Sequence, residues 1–586
     1  MAGHYLPGTR SISALFHFIR VILAPERDYY VLVVVYGIGI SLLSLATPIS
    51  VQMLINTVAK TGLTTPLVIL SVSLFLLLGV AALLNALRIH LMDLFARRFY
   101  ARMVSEISLR AIYAVNPFFD DSGKGTLFNR YFDIIIVHKT LPYILIGGFT
   151  ILLQIIAAMV LVSLYHPLFL IFNIVVGFFC WLIWRIWGPR AIESAVELSH
   201  RKHAVAGWLE GLGASNGFFK SERHIAHALR ETDANTKHYV EQHALHFKNH
   251  FTQTLWFLFI YAAASALLLG LGGWLVIQGQ LTLGQLVAAE LVLSVAFVGI
   301  SQLGVYLTYF YDLCGAIDEL SLFFGVDQEP YIEQPAELGA DATLSMKDAR
   351  GEARGLDAVF DLEIASGARV LAHADNHAVQ RLFTSFLKRH ETPRGGIIAL
   401  GGTDIMSVRV HTLRQEVIVL DRPNIAEMTI REYLQLCDQE RAPSSILSAL
   451  EAVDLMDAVS QLEDGLDTSL ALTGWPLSIT ETMQLKLAAA ILAQPKLLVL
   501  NQLFDVMPAD ALRRSLDMIQ GGPTTTVVYF SNRDCELGFD SYIDLHSSSQ
   551  PIFDDYEEFS REVETWRRGR LSREEPTRPF SAVPGS

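Results

Sequence analysis

At 586 residues, with 52% apolar side chains and a mean hydropathy of +0.36, the chain is long enough for several domains and too apolar for an ordinary soluble protein. It carries 45 Lys and Arg against 59 Asp and Glu, a net charge of −14, which excludes a broad nucleic-acid-binding face because such faces rely on basic surface. Its four cysteines, Cys180, Cys314, Cys437 and Cys535, lack paired metal-ligand spacing and read as reduced, small buried side chains.

The opening stretch, "MAGHYLPGTRSISALFHFIR", has no short apolar core followed by a small-residue cleavage site, so no removable signal peptide is expected and residues 1–28 read as a cytoplasmic segment. Six apolar stretches follow, at 29–52, 66–88, 141–165, 167–186, 255–278 and 283–309. Each fits a span of about 20 residues across a bilayer. They predict an integral membrane domain of six helices over 29–330, in contact with the lipid bilayer. Of the 21 Lys and Arg before residue 331, only Lys60 falls in a loop on the odd side, at 53–65, 166 or 279–282. Basic residues resist translocation, so the N-terminus and the long loops 89–140 and 187–254 are expected in the cytoplasm.

Both long loops continue the helical pattern of the spans, as in "LRIHLMDLFARRFYARMVSEISLRAIY" (87–113), which predicts helices running well past the bilayer. Their turns, at 117–133 and 208–224, are either docking points for a soluble domain or plain solvated turns. Within the spans, Glu290 in "LVAAELVLSVAFVGISQL" is the clearest ionisable residue. Acids at that depth usually face a protein interior or an aqueous cavity, so Glu290 is the membrane-path candidate, with a buried interfacial glutamate as the alternative. Gln154, Asn173 and Gln302 need only polar contacts between helices.

After 331 the charge becomes strongly acidic, with 24 basic against 39 acidic residues. Short apolar strands now alternate with amphipathic helices. "ARVLAHA" (368–374), "GGIIAL" (395–400), "EVIVL" (416–420), "KLLVL" (496–500) and "TTVVYF" (525–530) read as strands, while "NHAVQRLFTSFLKRH" (376–390), capped by Asn376, and "TMQLKLAAAILAQ" (482–494) read as helices. Such alternation predicts a largely parallel sheet flanked by helices over 331–555. The charged tail, 556–586, predicts a last short helix and then disorder.

The spacing of these segments resembles an ABC transporter of the exporter type, and the resemblance covers nearly the whole chain. "GARV…TPRGGIIALGGTDI" (367–405), with Pro393 and Gly396, is similar to the strand, phosphate-loop helix and following strand of the cassette. "LRQEVIVL" (413–420) and "TIREYL" (429–434) resemble the glutamine-loop region. "LEDGLDTSL" (462–470) and "LSITETMQLKLAAAILAQPKLLVLNQ" (477–502) resemble the signature helix and Walker B strand without a gap, and "TTVVYFSNRD" (525–534) resembles the switch-histidine strand. The resemblance implies a half-transporter: an all-α six-helix transmembrane domain followed by an α/β P-loop-NTPase-like domain, the ABC cassette. It also implies a second half-transporter as partner, in a homo- or heterodimer, with the two long turns as coupling segments. A bacterial inner membrane with a cytoplasmic cassette is expected.

The departures from the family pattern concern chemistry. A phosphate loop needs glycines so that backbone N–H groups can curl round phosphates, a lysine for the β/γ charge and a hydroxyl for Mg²⁺. "ADNHAVQRL" (374–382) has Ala374, His377 and Val379 at the glycine positions, Gln380 at the lysine position, and Arg381 and Leu382 at the hydroxyl positions, with Asp375 adding the wrong charge. Arg381 is the one side chain there suited to a phosphate, or else an ordinary exposed helix arginine. The Walker B acid is Asn501 and the catalytic Glu position is Gln502. An amide cannot take a proton from attacking water as a carboxylate does. Leu477 and Ser478 remain of the signature, but Ile479, Thr480 and Glu481 replace Gly-Gly-Gln. Arg422 stands at the glutamine-loop position, Pro508 at the D-loop aspartate, Asn532 at the switch histidine beside Arg533, and "SMKDARGEAR" (345–354) has no aromatic to stack on adenine.

Family cassettes pair head to tail, each site joining one chain's Walker motifs to the other's signature. A homodimer would then lack a competent site, and a pair with an intact half would keep one weakened site at best. The expectation is therefore a non-catalytic or weakly catalytic half-subunit contributing to an export path, without intrinsic ATPase activity and with Mg-ATP, if used, supplied through a partner. The alternatives are a structural or regulatory pseudo-transporter that binds a protein partner, and an ATPase exporter that tolerates the altered motifs. Apolar spans with one membrane acid do not separate peptides, lipids and drugs as substrates.

Overall fold

The computed structural model describes residues 12–55, 64–115, 124–374, 376–437, 443–520, 525–533 and 538–573. Lys60, residues 117–123 of the first long turn, Asp375, Cys535 and the tail beyond 573 lie outside the described residues. The chain separates into two compact units, Met1–Gln328 and Glu329–Ser586.

The described residues of the first unit are built from helices. Among them, six helices are long and apolar enough to cross a membrane: Ser13–Met53, Thr64–Ile112, Leu127–Ser163, Pro167–Ala214, Glu222–Ile277 and Leu283–Phe324. The first of them begins with an additional short helix, α1 (Ile12–Leu23), followed by α2 (Arg27–Ser44) and α3 (Ala46–Met53). At 12 residues, α1 is too short for its apolar spacing to stand out within the N-terminal segment.

Helices α4 (Thr64–Ile112), α7 (Pro167–Ala214) and α8 (Glu222–Ile277) hold 49, 48 and 56 residues. At about 1.5 Å per residue they reach roughly 70–85 Å, more than twice the ~30 Å hydrocarbon core. The most apolar window of α4 is 0% buried within the unit, whereas that of α9 (Leu283–Phe324) is 50% buried. So α9 is the core helix, while the apolar stretch of α4 is left for lipid or another chain to cover. The N-terminus of α9 is fixed by a reciprocal cap: Gln285 N donates to Thr282 Oγ1 at 3.2 Å and Thr282 N donates to Gln285 Oε1 at 2.9 Å.

The third span changes pitch where the sequence demands it. Pro142 ends α5 (Phe132–Tyr143) with no N–H to give, and one π-helical turn, Ile144–Gly148, joins it to α6 (Phe149–Ser163). The tyrosine ring of Tyr306 fills the space where a Cβ on Gly147 would stand. Beyond the apolar windows the long helices are tied by buried ion pairs: Arg102 to Glu26 at 2.7 Å, Lys202 and His203 to Asp133 at 2.7 and 2.5 Å, and Arg130 to Glu319 at 2.5 Å. All three acids are at most 1% exposed, a burial that a carboxylate tolerates only when partnered.

The second unit is α/β. Strands β1 (Leu344–Ala353), β2 (Leu356–Ile364), β4 (Gly395–Leu400) and β5 (Thr403–Asp404) form an antiparallel sheet in the order β2-β1-β4-β5. Six strands form the second sheet, in the order β10-β9-β3-β8-β7-β6: β3 (Arg369–Ala374), β6 (Val417–Leu420), β7 (Leu497–Leu500), β8 (Thr526–Phe530), β9 (Ser541–Leu545) and β10 (Ile552–Phe553). All its pairings are parallel except β9 with β10. The largely parallel sheet is thus present, but "GGIIAL" belongs to the antiparallel one. Its Gly396 and Ile397 are exposed, which a strand buried on both faces would not allow.

Helix α10 (His377–Leu387) packs Leu382, Phe383 and Phe386 into a core shared by the two sheets, against Phe360, Val370 and Phe530. The other face of the parallel sheet is covered by α15 (Ile479–Ala493) and α16 (Ala509–Gln520), with α13 (Pro443–Ala452) beside them, around Met483, Leu487, Leu498 and Leu500. Smaller helices α11 (Val410–Glu416), α12 (Ile430–Gln435) and α14 (Met456–Ser460) connect these, and α17 (Tyr556–Arg573) closes the chain.

Candidate functional site

Because β3, β6, β7 and β8 run parallel, their carboxyl ends share one edge, and ligands of open α/β sheets bind in the crevice outside that edge. Ala374, Asp421, Asn501 and Ser531 stand there, one after each strand or at its last residue. The site can be built from them outward.

Between β3 and α10 the chain makes a short connection. Asn376 caps α10: its Oδ1 accepts from Ala378 N at 2.8 Å, and its carbonyl accepts from Val379 N at 3.0 Å and Gln380 N at 3.2 Å. The backbone donors at positions 378–380 are therefore already used within the chain. Val379 and Leu382 are each 1% exposed and belong to the apolar core, while His377 and Arg381 are exposed. Ala374 is half-buried and sits beside Leu545 of β9.

Two amides close a long sequence separation in the site. Gln380 Nε2 donates to Gln502 Oε1 at 3.0 Å and Gln502 Nε2 donates to Gln380 Oε1 at 2.9 Å, a reciprocal pair across 122 positions. Asn501 Nδ2 donates to the Asp421 carbonyl at 3.1 Å, and Asn501 Oδ1 accepts from Leu503 N at 3.1 Å, starting the 3₁₀ turn Gln502–Val506. The Asp421 carboxylate takes Lys388 Nζ at 2.5 Å. Arg422, next along, is half-buried, and its carbonyl, with that of Asn424, receives the Lys486 ammonium at 2.7 Å each. Burial lowers the Lys486 pKa to about 8.

Asn532 sits in a second network that sequence patterns alone miss. Asp505 accepts from the Tyr529 hydroxyl, from Ser531 Oγ at 2.7 Å and from Asn532 N at 3.0 Å. The guanidinium of Arg533 then donates to the carbonyls of Asp505 and Met507. Burial, with the Asp505 carboxylate beside it, holds the Tyr529 phenol protonated far above its ordinary range. The two segments, 501–507 and 529–533, are stapled together. The signal for Asp505 was a lone acid in the apolar run "LFDVM", and nothing local says what it bonds.

Leu477 and Ser478, with Ile479, Thr480 and Glu481, form a separate group at the start of α15. Ser478 Oγ accepts from Glu481 N at 3.2 Å, Glu481 Oε2 accepts from Ser478 N at 2.7 Å, and Thr482 Oγ1 donates to the Ser478 carbonyl at 2.8 Å. This is a complete capping box, with a carboxylate lying on the helix N-terminus. Leu477 is buried, Ile479 exposed and Thr480 half-buried. Pro508 is exposed just before α16.

In the membrane unit, Glu290 lies half-buried in α9, and its Oε2 is shielded without a hydrogen-bond partner among the described residues. Asn173 donates to the Met159 carbonyl at 2.8 Å and to Ser163 Oγ at 2.9 Å, a polar contact between helices. Cys180 and Cys314 are free thiols, Cys314 fully buried, and the Cys437 thiol donates to the Tyr433 carbonyl at 3.7 Å. No cluster of metal-ligating side chains occurs among the described residues.

Comparison with known proteins places this geometry in context. The family model of the ABC transporter transmembrane region matches residues 30–205. ABC transporter B family member 1 of Arabidopsis thaliana is 22% identical over 285 residues, 46% of this chain and 22% of that protein. ABC multidrug transporter mdr2 of Aspergillus fumigatus is 25% identical over 279 residues, 44% of this chain and 34% of its own length. ABC transporter B family member 2 of Dictyostelium discoideum is 24% identical over 173 residues, 29% of this chain and 12% of that protein. The chain thus spans about a third or less of the length of these relatives. A solved structure of a bacterial Atm1-family ABC exporter with ATP bound superposes with a TM-score of 0.76 at 16% identity, covering 95% of this chain and 100% of the other. The fold, six apolar helices followed by a sheet-containing domain, is that of an ABC exporter half.

Proposed function

We propose that this chain is a non-hydrolysing half-subunit of an ABC-exporter-type membrane complex, in which the six helices contribute to an export path and the second unit serves as a docking cassette. It pairs head to tail with a second half of the same fold. The observation that carries the reading is the reciprocal Gln380–Gln502 amide pair. It occupies the two positions where the resemblance expects the phosphate-binding lysine and the catalytic glutamate. Neither amide supplies a positive charge for a triphosphate nor a base for water.

The surrounding groups do not fit Mg-ATP either. Asn376 has taken the N–H groups of residues 378–380, Leu382 is core where a hydroxyl would meet Mg²⁺, and Asn501 stands where an acid would. Alternating access between two helix bundles needs a cavity shared by two halves, and one such half is present here. Energy for transport would then have to come from the partner.

The test is ATP turnover by the purified full-length chain in lipid nanodiscs. The expected result is no vanadate-sensitive phosphate release above an empty-nanodisc control. Vanadate-sensitive turnover that disappears in Gln502→Ala would overturn the reading and restore an active exporter.

A further inference from the structure

Beyond their apolar windows, α5, α7 and α9 bring together three buried acids with two permanent counter-ions among them. Asp133 and Glu319 are 0% exposed and Asp318 is 6% exposed. Lys202 Nζ lies 2.7 Å from Asp133, and Arg130 Nε lies 2.5 Å from Glu319. Asp318 of α9 is left with His200 of α7, whose Nε2 stands 2.8 Å from its Oδ2. The same ring nitrogen is 3.7 Å from Glu319 Oε1, an oxygen without a hydrogen bond among the described residues. The other nitrogen, Nδ1, is 3.9 Å from Glu197 Oε2. Both ring nitrogens therefore face carboxylates, which only accept hydrogen bonds. A neutral imidazole has one donor and one bare nitrogen, so either tautomer turns a lone pair toward a carboxylate, whereas the imidazolium donates on both sides.

We propose that His200 is a pH-operated latch between α7 and α9: protonated, it ties the two helices through Asp318 and Glu319, and neutral, it lets them part. The neighbouring charges are otherwise engaged. Arg201 is turned to Glu197 at 2.7 Å, Lys202 and His203 to Asp133, and, on α8, His246 bonds Ser194 Oγ at 3.0 Å. Burial opposes charge on the ring, but the Asp318 hydrogen bond and the Glu319, Asp318 and Glu197 carboxylates outweigh it and hold the His200 pKa above its ordinary value. A group whose pKa rises on folding stabilises the native state below its ordinary value of ~6.5, and that contribution is lost as pH climbs through the higher folded value. Above it, Asp318 becomes a buried charge without a counter-ion, which strongly destabilises its surroundings. The His200 side chain is 15% exposed, so protons can reach it from the side that the basic residues assign to the cytoplasm. An arginine at 200 would make a permanent tie; histidine makes it conditional near neutral pH. The latch does not depend on whether the second unit hydrolyses ATP.

The test is hydrogen–deuterium exchange with mass spectrometry on the full chain in lipid nanodiscs, from about pH 6 to about pH 9, with each rate corrected for the intrinsic pH dependence of exchange. Protection of residues 196–204 and 313–323 is expected to fall at least tenfold across that range, while protection of residues 92–107 in α4 holds steady. His200→Ala is expected to show the low protection at every pH. Combining it with Asp318→Asn is expected to regain most of the loss, which a misfolded variant could not do. Flat protection in the parent chain, or a fall that persists unchanged in His200→Ala, would overturn the latch.

Discussion

Gln380 and Gln502 satisfy each other, so removing one leaves a partly buried amide without its partner. Leaving such a group unsatisfied costs about 1–3 kcal/mol, whereas replacing both by apolar residues of similar shape is close to neutral. Gln380→Leu and Gln502→Leu should each lower the melting temperature of the detergent-solubilised protein, and the double variant should recover most of the loss. Additive losses in that cycle would show that the two amides do not interact. A second buried group makes a pH prediction. Burial pushes the Asp544 carboxyl up, but the His373 hydrogen bond at 2.9 Å and the His546 ring nitrogen 3.0 Å away outweigh it and leave the pKa below the ordinary value. A carboxyl depressed on folding stabilises the native state above its unfolded pKa of ~4, and that contribution disappears as pH falls through the lower folded value. Asp544→Asn should therefore cost roughly 2–3 kcal/mol at pH 7 and progressively less below pH 4, measured by urea unfolding across pH. A penalty that stays constant down to pH 2 would contradict this.

Among the elements, those with strong apolar runs were legible in the sequence. β3, β6, β7 and β8 lie within a residue or so of the stretches that predict them, because strands buried on both faces read as continuous apolar segments. The long helices were legible for a related reason: their apolar windows match the bilayer and their charged ends keep the helical period. What stayed hidden depends on partners far along the chain. The polar strand β1, "LSMKDARGEA", carries a bulge at residues 347–350 opposite β4, with Asp348 at φ 50°. Nothing in its composition announces a strand. The bulge accounts for Gly396, which has φ 79° and would place a Cβ 2.1 Å from the Asp348 carbonyl oxygen. A side chain there meets backbone that cannot step aside, and the left-handed conformation adds its own strain. Gly396→Ala should destabilise the second unit by at least about 2 kcal/mol, seen as a lower melting temperature and faster proteolysis. A variant as stable as the parent would mean that β1 and β4 do not pair in this register.

At the scale of the whole molecule, the family fold and the individual site residues point in different directions, and ligand linkage separates them. Any ligand that binds only the native state stabilises it by about 2.7 kcal/mol at a hundred times its Kd. For a unit of this size each kcal/mol moves the melting temperature by roughly 2–4 °C, so a working nucleotide site in millimolar Mg-ATP would shift it by about 5–10 °C. The site as folded offers a triphosphate little. Opening it would break the Gln380–Gln502 pair and strip Asn376 from three backbone donors before any phosphate contact formed. Mg-ATP at 5 mM should therefore move the second unit's transition by less than about 1 °C relative to Mg²⁺ alone, against the 5–10 °C expected for a working site. Gln502→Glu should leave that null result unchanged, because a single restored acid supplies neither the missing lysine charge nor the free loop donors. A nucleotide-dependent rise of several degrees in the parent chain would show that the amide pair opens on binding, and would return the energy source for transport to this chain.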